Sequence, residues 1–259
     1  MIDSALVSKE EIMKVLAIGN SFSQDAFFYL HKIAEGAGMD LTCLGLYIGG
    51  CPLSRHAENI KTGADAYLYQ KNGDESDFRS ISVADALAEC DWDVVSLQQV
   101  SHDSGLYETY LPYLDEVADF VRAKCPGAKL VIHQTWAYEI DSQHGGFANY
   151  DRDQGKMYNC LVAAYDKAAE RLNATIIPVG TVIQTLRTTP AFDYANGGLS
   201  LCRDGFHLSI PQGRYAAGLT WFATLTGKSA LTSAFVPEGV SEEQADWIKK
   251  TVDSVVFGA

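Results

Sequence analysis

Short apolar runs recur along this chain, each followed by a longer amphipathic stretch, and that alternation constrains the fold more than any other feature. A strand that is apolar on both faces needs cover on both sides, and a parallel sheet between two layers of helices supplies it. The first such run is 14–19 (KVLAIG). Behind it, 23–36 carries Phe27, Leu30, Ile33 and Ala34 at helical spacing. Strands are predicted at 41–48, 93–97, 130–134 and 175–179, and helices at 110–124, 157–172, 211–226 and 241–256. The stretch 54–69 is compatible with a helix, although its periodicity is weak. The expectation is therefore a three-layer α/β/α domain with a five-stranded parallel sheet, spanning 12–259 behind a polar N-terminal extension of 1–11.

Composition agrees with one ordinary domain. At 259 residues, with 47% hydrophobic and 20% charged side chains, the chain can bury a stable core without disulfides or metals. A formal net charge of −13, with no local run of Lys or Arg, argues against a nucleic-acid partner. The six cysteines, at 43, 51, 90, 125, 160 and 202, never approach C-x-x-C spacing. They read as reduced, buried small hydrophobes rather than zinc or redox ligands. Residues 1–11 lack the apolar centre of a signal peptide, and no run approaches the roughly 18 apolar residues of a membrane span. A cytoplasmic protein without a membrane span, cofactor or metal is the expectation.

In an open α/β sheet, ligands bind beyond the carboxyl ends of the strands, so the strand-to-loop junctions are where chemistry belongs. The first junction reads Gly19-Asn20-Ser21-Phe22-Ser23. A serine here lies where unsatisfied helix N–H groups would meet a developing oxyanion. The same residues also fit a capping arrangement, with Ser21 and Gln24 as a capping box or Ser23 as the cap. A serine hydroxyl becomes a useful nucleophile only beside a base, and an imidazole base needs a carboxylate to hold its tautomer. Asp204 and His207, three residues apart in Asp-Gly-Phe-His, can supply both. Of the other histidines, at 31, 56, 102, 133 and 144, His102 has an adjacent acid in Asp103, and adjacent side chains usually point apart. No H-E-x-x-H spacing suggests a metal hydrolase.

Taken together, Gly-Asn-Ser-Phe-Ser after the first strand and Asp-Gly-Phe-His before the last helices resemble the SGNH (GDSL-type) hydrolase superfamily, in particular a bacterial branch without a described function. The likeness runs from about residue 14 to 227. It implies a flavodoxin-like fold and a Ser21, His207, Asp204 triad acting on acyl esters. Two departures stand out: Asn20 replaces the usual acid before the serine, and Leu97-Gln98-Gln99 replaces the usual Gly-x-Asn-Asp. The resemblance implies an oxyanion hole from the Ser21 and Gly50 N–H groups with the Gln99 amide, Gly49 and Gln98 being the alternates. Trp136 and Tyr138, just after the fourth strand, are candidates for the pocket lining, or for an aromatic lid over the sheet edge.

The expected activity is hydrolysis of a short acyl ester, carbohydrate-linked or of a related polar molecule, through an acyl-enzyme. The alternative is a non-catalytic carbohydrate- or partner-binding module on an inherited hydrolase fold.

Overall fold

The computed structural model describes residues 12–76 and 79–258; the predicted extension 1–11 lies outside them. Its centre is a seven-stranded sheet in the order β4-β3-β2-β1-β5-β6-β7. Five strands are parallel: β1 (Met13–Gly19), β2 (Leu41–Tyr47), β5 (Val94–Leu97), β6 (Lys129–His133) and β7 (Thr175–Ile177). The two outer strands β3 (Tyr67–Lys71) and β4 (Ser80–Ile81) run antiparallel to their neighbours. The expected five-stranded parallel sheet is thus present but extended into a mixed one.

The predicted helical stretch 54–69 splits, which explains its weak periodicity. Helix α3 (Leu53–Thr62) stops at Gly63, whose φ of 65° is the left-handed cap conformation, and the chain then enters β3. Tyr67 and Tyr69 are buried there and Leu68 is half-buried, a period-two pattern over too few residues to compete with the helical reading. The predicted helix 23–36 is likewise two helices, α1 (Ser21–Phe27) and α2 (Leu30–Gly36). Two helices were not anticipated: α4 (Val83–Ala88), capped by Ser82, and α7 (Val179–Leu186), which begins directly after Pro178 and shortens the fifth parallel strand.

The remaining helices are α5 (Tyr113–Lys124), α6 (Gln154–Leu172), α8 (Gln212–Thr226) and α9 (Glu242–Phe257). One layer groups α3, α4, α5 and α6; the other groups α1, α2, α7 and α9 around α8. Residues Gly213 to Ala223 of α8 are all buried, because the sheet lies on one side and α9 on the other. All six cysteines are free thiols, and Cys43, Cys51, Cys125 and Cys202 are buried. Among the described residues, no helix is long and apolar enough to cross a membrane.

Strand β1 has β2 on one side and β5 on the other, so the winding of the sheet reverses beside it. Such a switch point opens a crevice at the carboxyl ends of the flanking strands. Ser21 stands at the end of β1, Gly49 and Gly50 follow β2, and Gln98 to Ser101 follow β5.

Candidate active site

The cap of α1 is Asn20, not a serine. Its backbone is extended and its Oδ1 accepts from the Phe22 N–H at 3.0 Å. Ser23 Oγ donates to the Asn20 carbonyl at 2.9 Å. Ser21 is consequently the first helical residue, with a side chain free of capping duty and an N–H that has no intrahelical acceptor.

Across the sequence, the 202–208 segment folds as a tight hairpin that brings His207 to this serine. A bridge joins Cys202 to Leu208, and the Arg203 N–H donates to the His207 carbonyl at 2.9 Å. Gly205 takes a φ of 87° within the turn, a conformation that L side chains rarely adopt. Inside the hairpin, Asp204 Oδ1 accepts the backbone N–H groups of His207 (2.8 Å) and Phe206 (3.2 Å), while Oδ2 meets His207 Nδ1 at 2.7 Å. His207 Nε2 lies 2.9 Å from Ser21 Oγ. A carboxylate only accepts, so Nδ1 carries the proton and Nε2 is left to accept the Ser21 O–H. Partial burial pushes the Asp204 carboxyl up. The bonds from the His207 ring and the two N–H groups outweigh that and hold it below the usual carboxylate range.

The hairpin is fastened to α1 by a residue that sequence reasoning passed over. Asp25, fully buried one turn after Ser21, accepts the Leu208 N–H at 2.8 Å. It also accepts Arg214 Nε at 2.8 Å and Arg203 Nη1 at 3.0 and 3.2 Å. Two further ties hold the hairpin from the β6 side: the Glu139 N–H donates to the Gly205 carbonyl (2.8 Å) and Trp136 Nε1 to the Phe206 carbonyl (2.7 Å). The one available signal was an acid placed four residues after the serine inside an apolar helix face.

A second chain of bonds fixes the Ser21 side. Gln98 Nε2 donates to Asn20 Oδ1 at 2.7 Å, and His133 Nδ1 meets Gln98 Oε1 at 2.9 Å. Asn20 Nδ2 donates to the Cys51 carbonyl at 3.1 Å. Because a backbone N–H donates to Asn20 Oδ1, every orientation in the line follows, including the proton on His133 Nδ1. Burial drives that imidazole down to about 3, so it is neutral. An aspartate at 20 could not donate to Cys51, which explains the amide at this position.

Beside Ser21 Oγ is a cavity of about 210 Å³. Phe22 and Phe206 wall it near the triad; Gly49, Gly50 and Tyr47 come from the end of β2, and Val100, Ser101, His102 and His144 from the loops after β5 and β6. Gly50, at a φ of 61°, occupies the left-handed position of the turn closed by the Cys51 N–H on the Ile48 carbonyl.

The predicted amide donor to the hole does not face this cavity. Gln99 Oε1 accepts from the Leu53 and Val100 N–H groups, both at 2.9 Å, and its Nε2 donates to the Thr109 carbonyl and Oγ1, both at 3.0 Å. The carboxamide is spent on tying β5 to α3 and the 107–110 turn, and Gln98 is spent on Asn20 and His133. Trp136 and Tyr138 also stand behind the wall rather than on it, both fully buried. Trp136 stacks on Phe22 with centroids 4.1 Å apart, and the Tyr138 hydroxyl bonds Ser101 Oγ at 2.8 Å. Strand alternation alone could not reveal that these rings back the pocket instead of lining it.

Fold and site together define an α/β/α domain with a serine, a histidine and an aspartate joined at the switch point of its sheet. More particularly, residues 14–254 match the family described as a domain of unknown function (DUF4886), and the chain belongs to that family. The crystal structure of a DUF4886 family protein from Bacteroides uniformis ATCC 8492 is 39% identical, with 96% of each chain covered and a TM-score of 0.89. A candidate SGNH hydrolase from Slackia heliotrinireducens shares the fold at 23% identity, covering 83% of this chain and 100% of that one, with a TM-score of 0.58. So does a mutant of an acetyl-xylooligosaccharide esterase from Geobacillus Stearmophilus, at 12% identity, 85% and 98% coverage and a TM-score of 0.51. No curated protein matches the chain.

Proposed function

We propose that this protein is a serine esterase that removes a short acyl group from a polar, carbohydrate-type alcohol. The observation that carries the reading is the unbroken line from Ser21 Oγ to His207 Nε2 (2.9 Å) and from His207 Nδ1 to Asp204 (2.7 Å). In this reading Ser21 Oγ attacks the ester carbonyl carbon as His207 takes its proton, and Asp204 steadies the imidazolium. The oxyanion that forms is met by the Ser21 and Gly50 N–H groups, with Gly49 as the other glycine of the turn. No amide from Gln98 or Gln99 is invoked, since both are engaged elsewhere. His207 then protonates the leaving alcohol oxygen as the C–O bond breaks and acyl-Ser21 remains. Water, deprotonated by His207, attacks that ester and releases the acid, restoring the serine.

The size of the cavity supports a short acyl group. At about 210 Å³ it is smaller than the ~300–1,000 Å³ of sites for drug-sized ligands. The shared fold with an acetyl-xylooligosaccharide esterase is compatible with a sugar ester and carries no more than that. Initial rates on p-nitrophenyl acetate and octanoate, for wild type and Ser21→Ala, test the proposal. Acetate turnover should exceed octanoate turnover in the wild type, and the variant should lose both. Equal rates in the two proteins would remove Ser21 from its role and leave the binding-module alternative.

A further inference from the structure

The pocket contains two histidines that the triad does not use, His102 and His144, and the hydrogen bonding of His144 determines what it can recognise. His144 Nδ1 accepts the Gly146 N–H at 3.0 Å, at the start of the short helical turn Gly145–Tyr150. A ring nitrogen that accepts is unprotonated, so the neutral imidazole carries its proton on Nε2. Nε2 has no hydrogen-bond partner among the described residues. The ring has little freedom to turn: it stacks on His102 (centroids 5.8 Å, 26°) and meets Tyr138 and Phe206 at 4.9 and 4.8 Å. Its proximity to the reaction is read through Phe206, whose ring lies 4.1 Å from that of His207. Burial, together with the nearby His102 and His207, moves His144 below the usual histidine range, against the pull of Asp204, so it is uncharged at neutral pH.

We propose that His144 is a specificity residue that holds the alcohol half of the ester through a fixed Nε2–H donor, selecting an uncharged alcohol with its own hydroxyl or ether oxygen. This rests on the esterase reading above and names the substrate side of the same site. The lining supports the choice, since no Lys, Arg, Asp or Glu side chain contributes to it. An anionic alcohol would find no cation there, and a cationic one no carboxylate. A plain alkyl alcohol would leave the His144 donor desolvated and unpaired, which a site of this kind penalises. Ser101 Oγ, hydrogen-bonded to the buried Tyr138 hydroxyl, adds a further polar group to the same lining.

The test compares a sugar monoacetate with ethyl acetate, both followed by acetate release. His144→Asn keeps an acceptor for the Gly146 N–H, since asparagine is a favoured cap, but is too short to present the distal donor. His144→Phe keeps the ring packing and removes both nitrogens, and it serves if the first variant fails to fold. The ratio of kcat/KM for the sugar ester over ethyl acetate should fall by about tenfold in either variant, carried mainly by KM. An unchanged ratio, or an equal loss on both esters, overturns the role of His144 while leaving the esterase reading intact. A wild-type protein that releases acetate from neither ester overturns both.

Discussion

Ser21 and His207, the proposed nucleophile and base, are held in place by different means. Ser21 follows directly on β1 behind the Asn20 cap, whose carboxamide accepts from Gln98 and donates to the Cys51 carbonyl. His207 sits on a short hairpin that depends on distant partners, namely Asp25, Glu139 and Trp136. The two sides meet at Asp25, which belongs to the helix of the serine and grips the backbone beside the histidine. The lesson is that the Ser21 side is tied by neutral amide hydrogen bonds and the His207 side by a buried ion cluster, so mutations should separate the two.

The largest effect is expected within the hairpin itself. Asp204→Asn preserves the shape of the turn but frees His207 to adopt the wrong tautomer, and kcat on an aryl acetate should fall about ten-thousand-fold. A loss below tenfold would mean that the carboxylate only shapes the turn. Next comes the clamp. Asp25→Asn leaves the buried Arg214 facing a neutral group, with the half-exposed Glu75 as its remaining ion partner. Breaking a buried pair of this kind costs about 3–5 kcal/mol, read as a shift in urea midpoint at constant slope. The account also expects kcat to fall in the folded variant, because the Leu208 tether loosens. Smallest is the nucleophile side. Asn20→Asp retains the helix cap but removes the donor to Cys51, and a loss of about 1–3 kcal/mol in stability is expected. If Asn20→Asp proved more damaging than Asp25→Asn, the contrast between an amide-tied and an ion-tied side would be reversed.

The reach of each contact along the chain explains what was legible in the sequence. Ser21, Asp204 and His207 stood in short blocks whose chemistry is visible at fixed spacing, and the five parallel strands showed as apolar runs. The antiparallel strands β3 and β4 did not, because five and two residues give too little alternation to outweigh a neighbouring helix. Gln99 was misleading for a different reason. An amide at a strand end is an adequate oxyanion donor, and only its partners Leu53, Val100 and Thr109 reveal that its polar atoms are already used. Asp25 and His144 depend on contacts that no local window contains.

The central claim is that Ser21 is a nucleophile activated by His207. It is tested most directly by treating the protein with a serine-directed phosphonate and mapping the modified peptide by mass spectrometry. The account predicts one adduct per chain, on Ser21, forming far more slowly in His207→Ala. Ester hydrolysis that persists while Ser21 stays unmodified, or an adduct on another residue, would contradict it.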